Sequence, residues 1–325
     1  MAQRADEIID RRRLRRKLTF WRVAAILIAA LAIVGAAGWT MRDSIGGTGT
    51  SHIAKIRIEG TITEDEELLK RLADVAKADS VKGVILSIDS PGGTTAGGEA
   101  IFDAVRKVAI AKPTVAQVGT LAASAGYMIA SASDHIVARQ SSIVGSIGVL
   151  VQFPNFTGLM DKLGIVLEEV KSSPLKAEPS PFNVTTEPER AMLRSLIMDS
   201  YEWFVGLVEE RRPLDRAQVL ALANGAIFTG RQALERKLVD ELGGEEQAKG
   251  WLVGKGVDAS LEIVEWKPRR STTDYFLPTA AGRRIAALLG LPVIDESLIE
   301  RVGADRMFLD GLLSLWHPDA SGSSD

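Results

Sequence analysis

Cysteine is absent from the 325-residue sequence. Its absence excludes disulfides, thiolate nucleophiles and zinc sites with cysteine ligands. Histidine is nearly absent, because His52, His135 and His317 are the three in the chain and none belongs to an HExxH pattern. A histidine-rich metal site is therefore not expected. The net charge of −3 provides no basic surface for nucleic acid, so no nucleic-acid partner is expected either.

A long uncharged run lies near the N-terminus, at residues 23–39. At about 1.5 Å per residue it covers most of a hydrocarbon core of about 30 Å. Six cations precede it between Arg11 and Lys17. The positive-inside rule therefore predicts a cytoplasmic basic segment at residues 1–21 and a transmembrane anchor at residues 22–40, with the rest of the chain outside. A cleaved signal peptide is the alternative.

Strand-like and helix-like stretches alternate after a Gly/Ser/Thr-rich linker at residues 41–51. This alternation predicts an α/β domain over residues 52–254, with a mainly parallel sheet and helices packed outside it. Residues 255–325 mix charge with Pro, Gly and Thr. They are predicted to form a partly disordered extension for assembly or membrane contact.

Three segments of the second half of the domain have clear apolar patterns. The runs GVLVQF and IVLEEVKSS, at residues 148–153 and 165–173, have the composition of strands. Residues 187–211 carry apolar residues at helical spacing, which predicts a long helix whose stripe packs in the core.

Two turns could carry chemistry. Ser90-Pro91-Gly92-Gly93 follows a buried strand and precedes a helix, and its glycines let the backbone approach a ligand closely and present free N–H groups. The phosphate-loop and GxGxxG patterns are absent, so no nucleotide site is expected. Ser124 begins a helix, where the amide of Ala125 has no intrahelical partner. The amides of Gly93 and Ala125 could converge on a developing oxyanion.

A nucleophilic serine needs a base. Lysine can act as one when burial lowers its pKa from about 10.4 towards about 7. Lys171 and Lys176 both follow a strand-like run, in KSSPLK, and residue chemistry alone does not choose between them. His135 comes eleven residues after Ser124 but is predicted to begin a strand on the far side of the helix.

The ordered set SPGG, AASAGY, GSIG, KSSPLK and FTGRQALERKLVDELGG resembles signal peptide peptidase A in its short bacterial form, over about residues 52–250. The resemblance implies a Clp-protease/crotonase-like α/β fold of repeated ββα units, preceded by one N-terminal transmembrane helix. It also assigns roles by position: Ser124 nucleophile, Lys176 general base, Ser146 orienting the lysine amine, Gly93 and Ala125 oxyanion hole, and Gly92 supporting turn. The chain has Ala125-Gly126 where the family usually has Gly-Gly. Alanine has the same backbone N–H, so this difference leaves the oxyanion donor in place.

The resemblance further implies a homo-oligomer with active sites between neighbouring subunits, and no metal or other cofactor. Substrates would be remnant signal peptides and other apolar peptides, cleaved by a single-pass protein of the bacterial inner membrane with its catalytic domain on the extracytoplasmic side. The alternatives are an anchored serine peptidase acting on membrane or misfolded proteins, a crotonase-like acyl-CoA-binding enzyme, and a non-enzymatic scaffold.

Overall fold

The computed structural model describes residues 50–268 and 313–315, together with Trp21, Leu27 and Ile28. Nearly all of the predicted anchor at residues 22–40 and most of the extension at residues 255–325 lie outside the described residues. Within the described part of the chain, no helix combines the length and the apolarity that crossing a membrane requires.

Strands and helices alternate from His52 onward, as predicted. The elements are, in chain order, β1 (His52–Ile62), α1 (Glu66–Lys77), β2 (Val81–Thr94), α2 (Thr95–Ala111), β3 (Thr114–Ala123), α3 (Ala125–Ser131), β4 (His135–Ala138), β5 (Ile143–Gly145), α4 (Thr157–Leu163), α5 (Glu187–Arg211), α6 (Arg216–Leu222), β6 (Ile227–Thr229), α7 (Gly230–Glu235), β7 (Glu241–Leu242), α8 (Glu245–Gly254), β8 (Ile263–Glu265) and β9 (Leu313–Leu315).

These strands form one mixed sheet in the order β6-β5-β3-β2-β1-β8, with β4 and β7 branching from β3 and with β9 beside β2. All pairings are parallel except β5 with β6 and β2 with β9. The sheet reaches beyond residue 254, because β8 pairs with β1.

The sheet branches along β3. Its first half, Val115–Val118, pairs with β4, whereas Leu121–Ala123 pairs with β5. On its other side β3 follows β2 up to the pair Ser90 and Ala122. The carboxyl ends of β2, β3 and β5 therefore meet at one place in the sheet.

Both faces of the central strands are covered, which explains their continuous apolar runs. Ile53, Ile85 and Val115 pack against helix α8 through Leu252. The alternate residues of the same strands face a larger core that includes buried side chains of α1, α2, α3 and α5.

The strand predictions for residues 148–153 and 165–173 were wrong, because neither segment forms a strand. Val166 and Val170 are 83% and 104% exposed, so among the described residues the second run has neither a neighbouring strand nor a covering helix. Strand propensity reflects packing on a half-buried surface, and that surface is missing here.

Helix α5, Glu187–Arg211, confirms the predicted long helix. Glu189 caps its first turn, because its carboxylate accepts hydrogen bonds from the Thr186 amide and hydroxyl at 3.2 and 2.7 Å. The predicted core stripe holds for its C-terminal part, where Phe204 is buried. Towards the N-terminus Leu196 is half exposed.

A buried ion pair ties the end of α5 to the sheet. Arg212 Nη2 and Nη1 donate to the two carboxylate oxygens of Asp240 at 2.7 and 3.0 Å. Asp240 Oδ2 also accepts the amide of Ile136, in β4, at 2.8 Å. The long helix is thereby fixed to the strand that follows α3.

Replacing Arg212 by Met should lower the free energy of unfolding by about 3 kcal/mol, because the partly buried Asp240 carboxylate loses its partner. Urea denaturation measures this. The control is Arg216→Met, whose guanidinium pairs with Glu202 and Glu209 on the exposed surface and should change stability far less. Equal losses in the two variants would contradict this role of the pair.

Candidate active site

Ser124 stands at the junction of β3 and α3 in a strained backbone conformation. Its φ is 57° and its ψ is −121°, a combination that side-chain-bearing residues rarely adopt and that costs about 1–3 kcal/mol. Its amide donates to Gly145 O at 2.8 Å, and its carbonyl accepts from Met128 N at 2.9 Å. The strained turn is thus held from both sides, as in the sharp strand-to-helix turns that present nucleophilic serines.

Ser146 lies beside Ser124 because β3 and β5 are parallel and in register. Ala123 pairs with Gly145, so each serine is the next residue after a paired position. Gly145 and Ser146 both have positive φ, 105° and 50°, and the Ser146 amide donates to Ala226 O at 2.7 Å. The structure brings these two predicted site residues together.

The sequence predicts a turn after the strand at Gly92-Gly93, whereas in the structure β2 continues through both glycines, which pair with Thr61 and Ile62 of β1. We call this glycine-containing end of β2 the glycine turn. Gly92 has a φ of 105°, which favours glycine. A Cβ on Gly93 would lie 1.8 Å from the carbonyl oxygen of Ile62, in the adjacent β1. No side chain fits at Gly93, so the turn depends on glycine at both positions.

Ala125 and Gly126 begin α3 against the same turn. Ala125 is fully buried, and a Cβ on Gly126 would lie 2.9 Å from the Ser90 carbonyl oxygen. The helix that follows Ser124 therefore packs directly on the SPGG segment, with no room for a larger residue at Gly126.

Lys176 lies on an exposed loop. Its amide donates to Ser173 O at 3.1 Å, and Ala177 after it has a φ of 60°. Its ammonium makes no hydrogen bond or ion pair with the described residues of its own chain, so the single chain does not join Lys176 to Ser124.

Lys171, the other lysine considered as a base, is occupied. Its ammonium lies 2.6 Å from Glu169 and also pairs with Glu178. The hydrogen bonds that the ammonium donates to these two carboxylates, with Glu169 contributing most, raise the pKa of Lys171. A raised pKa is the opposite of what a neutral general base needs.

His135 begins β4, as predicted. It pairs with Val115, near the start of β3, whereas Ser124 follows the end of that strand. Its Nε2 lies 3.2 Å from Glu241, and its ring stacks on Trp251 at a centroid distance of 5.0 Å. These contacts turn the imidazole away from the serine.

Comparison with known proteins assigns the chain to a family. The profile of peptidase family S49 matches residues 106–256, and that of the Clp proteases matches residues 51–144. A protease of Methanocaldococcus jannaschii is 38% identical over 222 residues, covering 67% of this chain and 71% of the relative. This chain belongs to peptidase family S49.

Two bacterial relatives support the assignment of the chain as a peptidase. A protein of Enterococcus faecium named signal peptide peptidase SppA is 30% identical over 275 residues, covering 79% of each chain. A protease of Synechocystis is 37% identical over 219 residues, covering 66% of this chain and 79% of the relative. The chain is thus a serine-type peptidase with a Clp-protease-like α/β fold and a mixed sheet. This assignment favours the peptidase over the acyl-CoA-binding enzyme and the scaffold.

An open hollow has a volume of about 460 Å³, and its wall includes Ile147, the residue after Ser146. Val149, Met198 and Tyr201 contribute to its largely apolar wall.

Among the residues that the structure describes, no three His, Asp or Glu side chains are grouped closely enough to hold a metal ion.

The strain at Ser124 can be measured in two variants that differ at this position alone. Ser124→Gly should be more stable than Ser124→Ala by about 1 kcal/mol, because glycine adopts this positive-φ conformation without the steric cost that alanine bears. Urea unfolding of both proteins tests this. A more stable alanine variant would show that the turn is not strained.

Proposed function

We propose that this S49 peptidase is a membrane-anchored serine endopeptidase that hydrolyses remnant signal peptides and other apolar peptides with a Ser124/Lys176 dyad. The observation that carries the proposal is the strained turn at Ser124. It is in register with Ser146 and packs against the glycine turn that ends in Gly93.

The chemistry assigns one proton transfer to each step. Neutral Lys176 takes the proton of Ser124 as Oγ attacks the substrate carbonyl, and the amides of Gly93 and Ala125 stabilise the oxyanion. Ser146 accepts a hydrogen bond from the lysine amine and orients it. The lysine ammonium then protonates the leaving amine. Once neutral again, the lysine takes a proton from the water that attacks the acyl-enzyme, and it gives that proton to Ser124 Oγ as the ester bond breaks.

A second copy of the chain would supply the lysine. Lys176 lies on a segment with many apolar side chains that the rest of the described structure leaves exposed. Six large ones between residues 150 and 190 are more than half exposed: Leu159, Leu163, Ile165, Val166, Val170 and Val184. Such a surface is typical of a protein interface. Burying it against a neighbour would place the Lys176 loop of one copy near Ser124 of the next and remove water from the amine.

An extended substrate would bind at the edge of β2. Beyond Ser90 this edge no longer pairs with β3. Gly92, Gly93 and Thr94 pair there with Leu315, Ser314 and Leu313 of β9, in antiparallel orientation. The pairing supports the proposal because it shows that the edge accepts an added strand, the mode in which many sites hold extended peptides. The apolar hollow beside Ser146 would then receive a substrate side chain.

The proposed location follows from the sequence before His52. The uncharged run at residues 23–39 and the six cations that precede it would anchor the protein in the bacterial inner membrane, with the peptidase on the extracytoplasmic side. Apolar peptides released into or beside the membrane are the substrates that such an anchor brings within reach. Membrane or misfolded proteins would be cut by the same chemistry.

Mixing two inactive variants tests both the dyad and its division between copies. Ser124→Ala and Lys176→Ala should each abolish cleavage of an apolar peptide. Co-expressed with different tags and purified through both, they should regain activity at about a quarter of the sites, where an intact serine meets a neighbour's intact lysine. Cleavage is followed by mass spectrometry.

Lys171→Ala, carried through the same mixing with Ser124→Ala, is the matched control and should stay active alone. Wild-type kcat/KM should rise with pH, because only the neutral amine accepts the serine proton. A maximum near about pH 5 would contradict a lysine base. Inactive mixed assemblies would place both groups of the dyad within one chain.

A substrate strand at Gly92–Thr94 must displace β9. Ser314→Pro should therefore lower the KM for an apolar peptide with little change in kcat, because proline removes a backbone donor and disfavours strand pairing. Ser314→Ala, which keeps the donor, is the control and should behave as wild type. An unchanged or raised KM in the proline variant would contradict the placement of the substrate on this edge.

A further inference from the structure

Ser90, the first residue of the SPGG segment, uses its hydroxyl as both donor and acceptor. It is fully buried. Its Oγ donates to the carbonyl oxygen of Gly60 at 2.6 Å and accepts the amide of Gly92 at 3.1 Å. The hydroxyl therefore links β1 to the turn that contains Gly93, and it fixes the direction of the Gly92 peptide inside that turn.

The regular strand pairing is interrupted on both sides of β2 at this residue. Towards β3 the register moves from Ile88 with Val118 to Ser90 with Ala122. Towards β1 it moves from Glu59 with Asp89 to Thr61 with Gly92. The backbone pairing of β2 with its two neighbours therefore changes register just before the glycine turn. The hydrogen bonds of the Ser90 side chain join Gly60, which lies within the change towards β1, to Gly92, the first residue that pairs after it.

The same residue contacts the element that follows the nucleophile. A Cβ on Gly126 would lie 2.9 Å from the Ser90 carbonyl oxygen and 3.3 Å from its Cβ. Ser90 also pairs with Ala122, two residues before Ser124. One side of Ser90 thus touches the nucleophile turn, and its hydroxyl holds the glycine turn.

We propose that Ser90 is a positioning residue that sets the distance between the Gly93 amide and Ser124. The inference rests on the proposed function, in which that amide binds the oxyanion. An oxyanion donor is effective only at about 2.7–3.1 Å from the oxygen as it develops charge. Without the hydroxyl, the Gly92 amide and the Gly60 carbonyl lose their shared partner, and the glycine turn is held to β1 only by the pairs of Gly92 with Thr61 and of Gly93 with Ile62.

Ser90→Ala removes the hydroxyl with the smallest change in volume. Its kcat should fall by about 10- to 100-fold, below the loss caused by deleting an oxyanion donor outright, whereas KM should stay within about threefold. Ser90→Cys keeps a weak donor at the same place and should recover part of the lost kcat. The wild-type chain has no cysteine, so this substitution adds the single thiol of the protein.

The decisive readout is inhibition by a peptide boronate, which forms a tetrahedral adduct with the nucleophile and carries an oxygen in the oxyanion position. In Ser90→Ala its inhibition constant should rise by about the same factor as kcat/KM falls. Ser133→Ala is the matched control. Ser133 is also buried, and its Oγ bonds to Ala130 O and His135 O at 2.6 and 3.0 Å, beyond the far end of α3. It should lose stability while keeping its kcat and its boronate affinity.

Ser90→Ala and Ser133→Ala falling together in kcat and boronate affinity would overturn the inference, because a general loss of folded protein would then explain both. A raised KM with unchanged kcat in Ser90→Ala would overturn it as well. Ser124→Ala distinguishes a failure of the proposed function from a failure of the role of Ser90 alone. If that variant still cleaves, the proposed function fails and the inference fails with it. If it is dead while Ser90→Ala is fully active, only the role of Ser90 is wrong.

Discussion

The parallel pairing of β3 with two neighbours is the constraint on which the candidate site depends. On one side the pairing with β2 ends at Ser90 and Ala122, and on the other the pairing with β5 ends at Ala123 and Gly145. Because the carboxyl ends of parallel strands meet at one edge, three segments that are distant in sequence converge there. They carry Gly93, Ser124 and Ser146, and the sheet positions them before any chemistry takes place.

Packing then restricts what each loop can contain. The carbonyl of Ile62 excludes a side chain at Gly93, and the Ser90 carbonyl excludes one at Gly126. Ser124 retains its side chain in a conformation that glycine would adopt more easily. Ser124 thus keeps its side chain at a steric cost, although Gly93 and Gly126, which pack nearby, have no room for one. Such a cost is expected where the side chain itself is needed for a reaction. The same crowding gives Ser90 its influence over both turns.

The sequence predicted the fold and the neighbourhood of the serine because those depend on local patterns. Alternating strands and helices, the glycines of the SPGG segment and the small residues around Ser124 all lie in continuous stretches with recognisable periodicity. Predictions failed where the conformation of a segment depends on packing against residues that are distant in the sequence. The run at residues 165–173 has the composition of a strand, but it forms none, and in the part of the chain that the structure describes Val166 and Val170 stay exposed.

The proposed base and the proposed positioning residue show two further limits. Residue chemistry alone left Lys171 and Lys176 as equals, because the contacts of Lys171 with Glu169 and Glu178 arise from the fold of the loop. The role of Ser90 depends on register shifts on both sides of β2, which no local pattern encodes. The buried pair of Arg212 and Asp240 was likewise outside the reach of sequence patterns, since 28 positions separate its partners.

The central claim is that Ser124 is the nucleophile, and covalent labelling tests it most directly. The assembled full-length protein would be treated with a fluorophosphonate at alkaline pH, digested and mapped by mass spectrometry. We expect one phosphonyl adduct per labelled subunit, on Ser124, and none in Ser124→Ala. An adduct on another serine, or an active enzyme that the reagent neither labels nor inhibits, would contradict it.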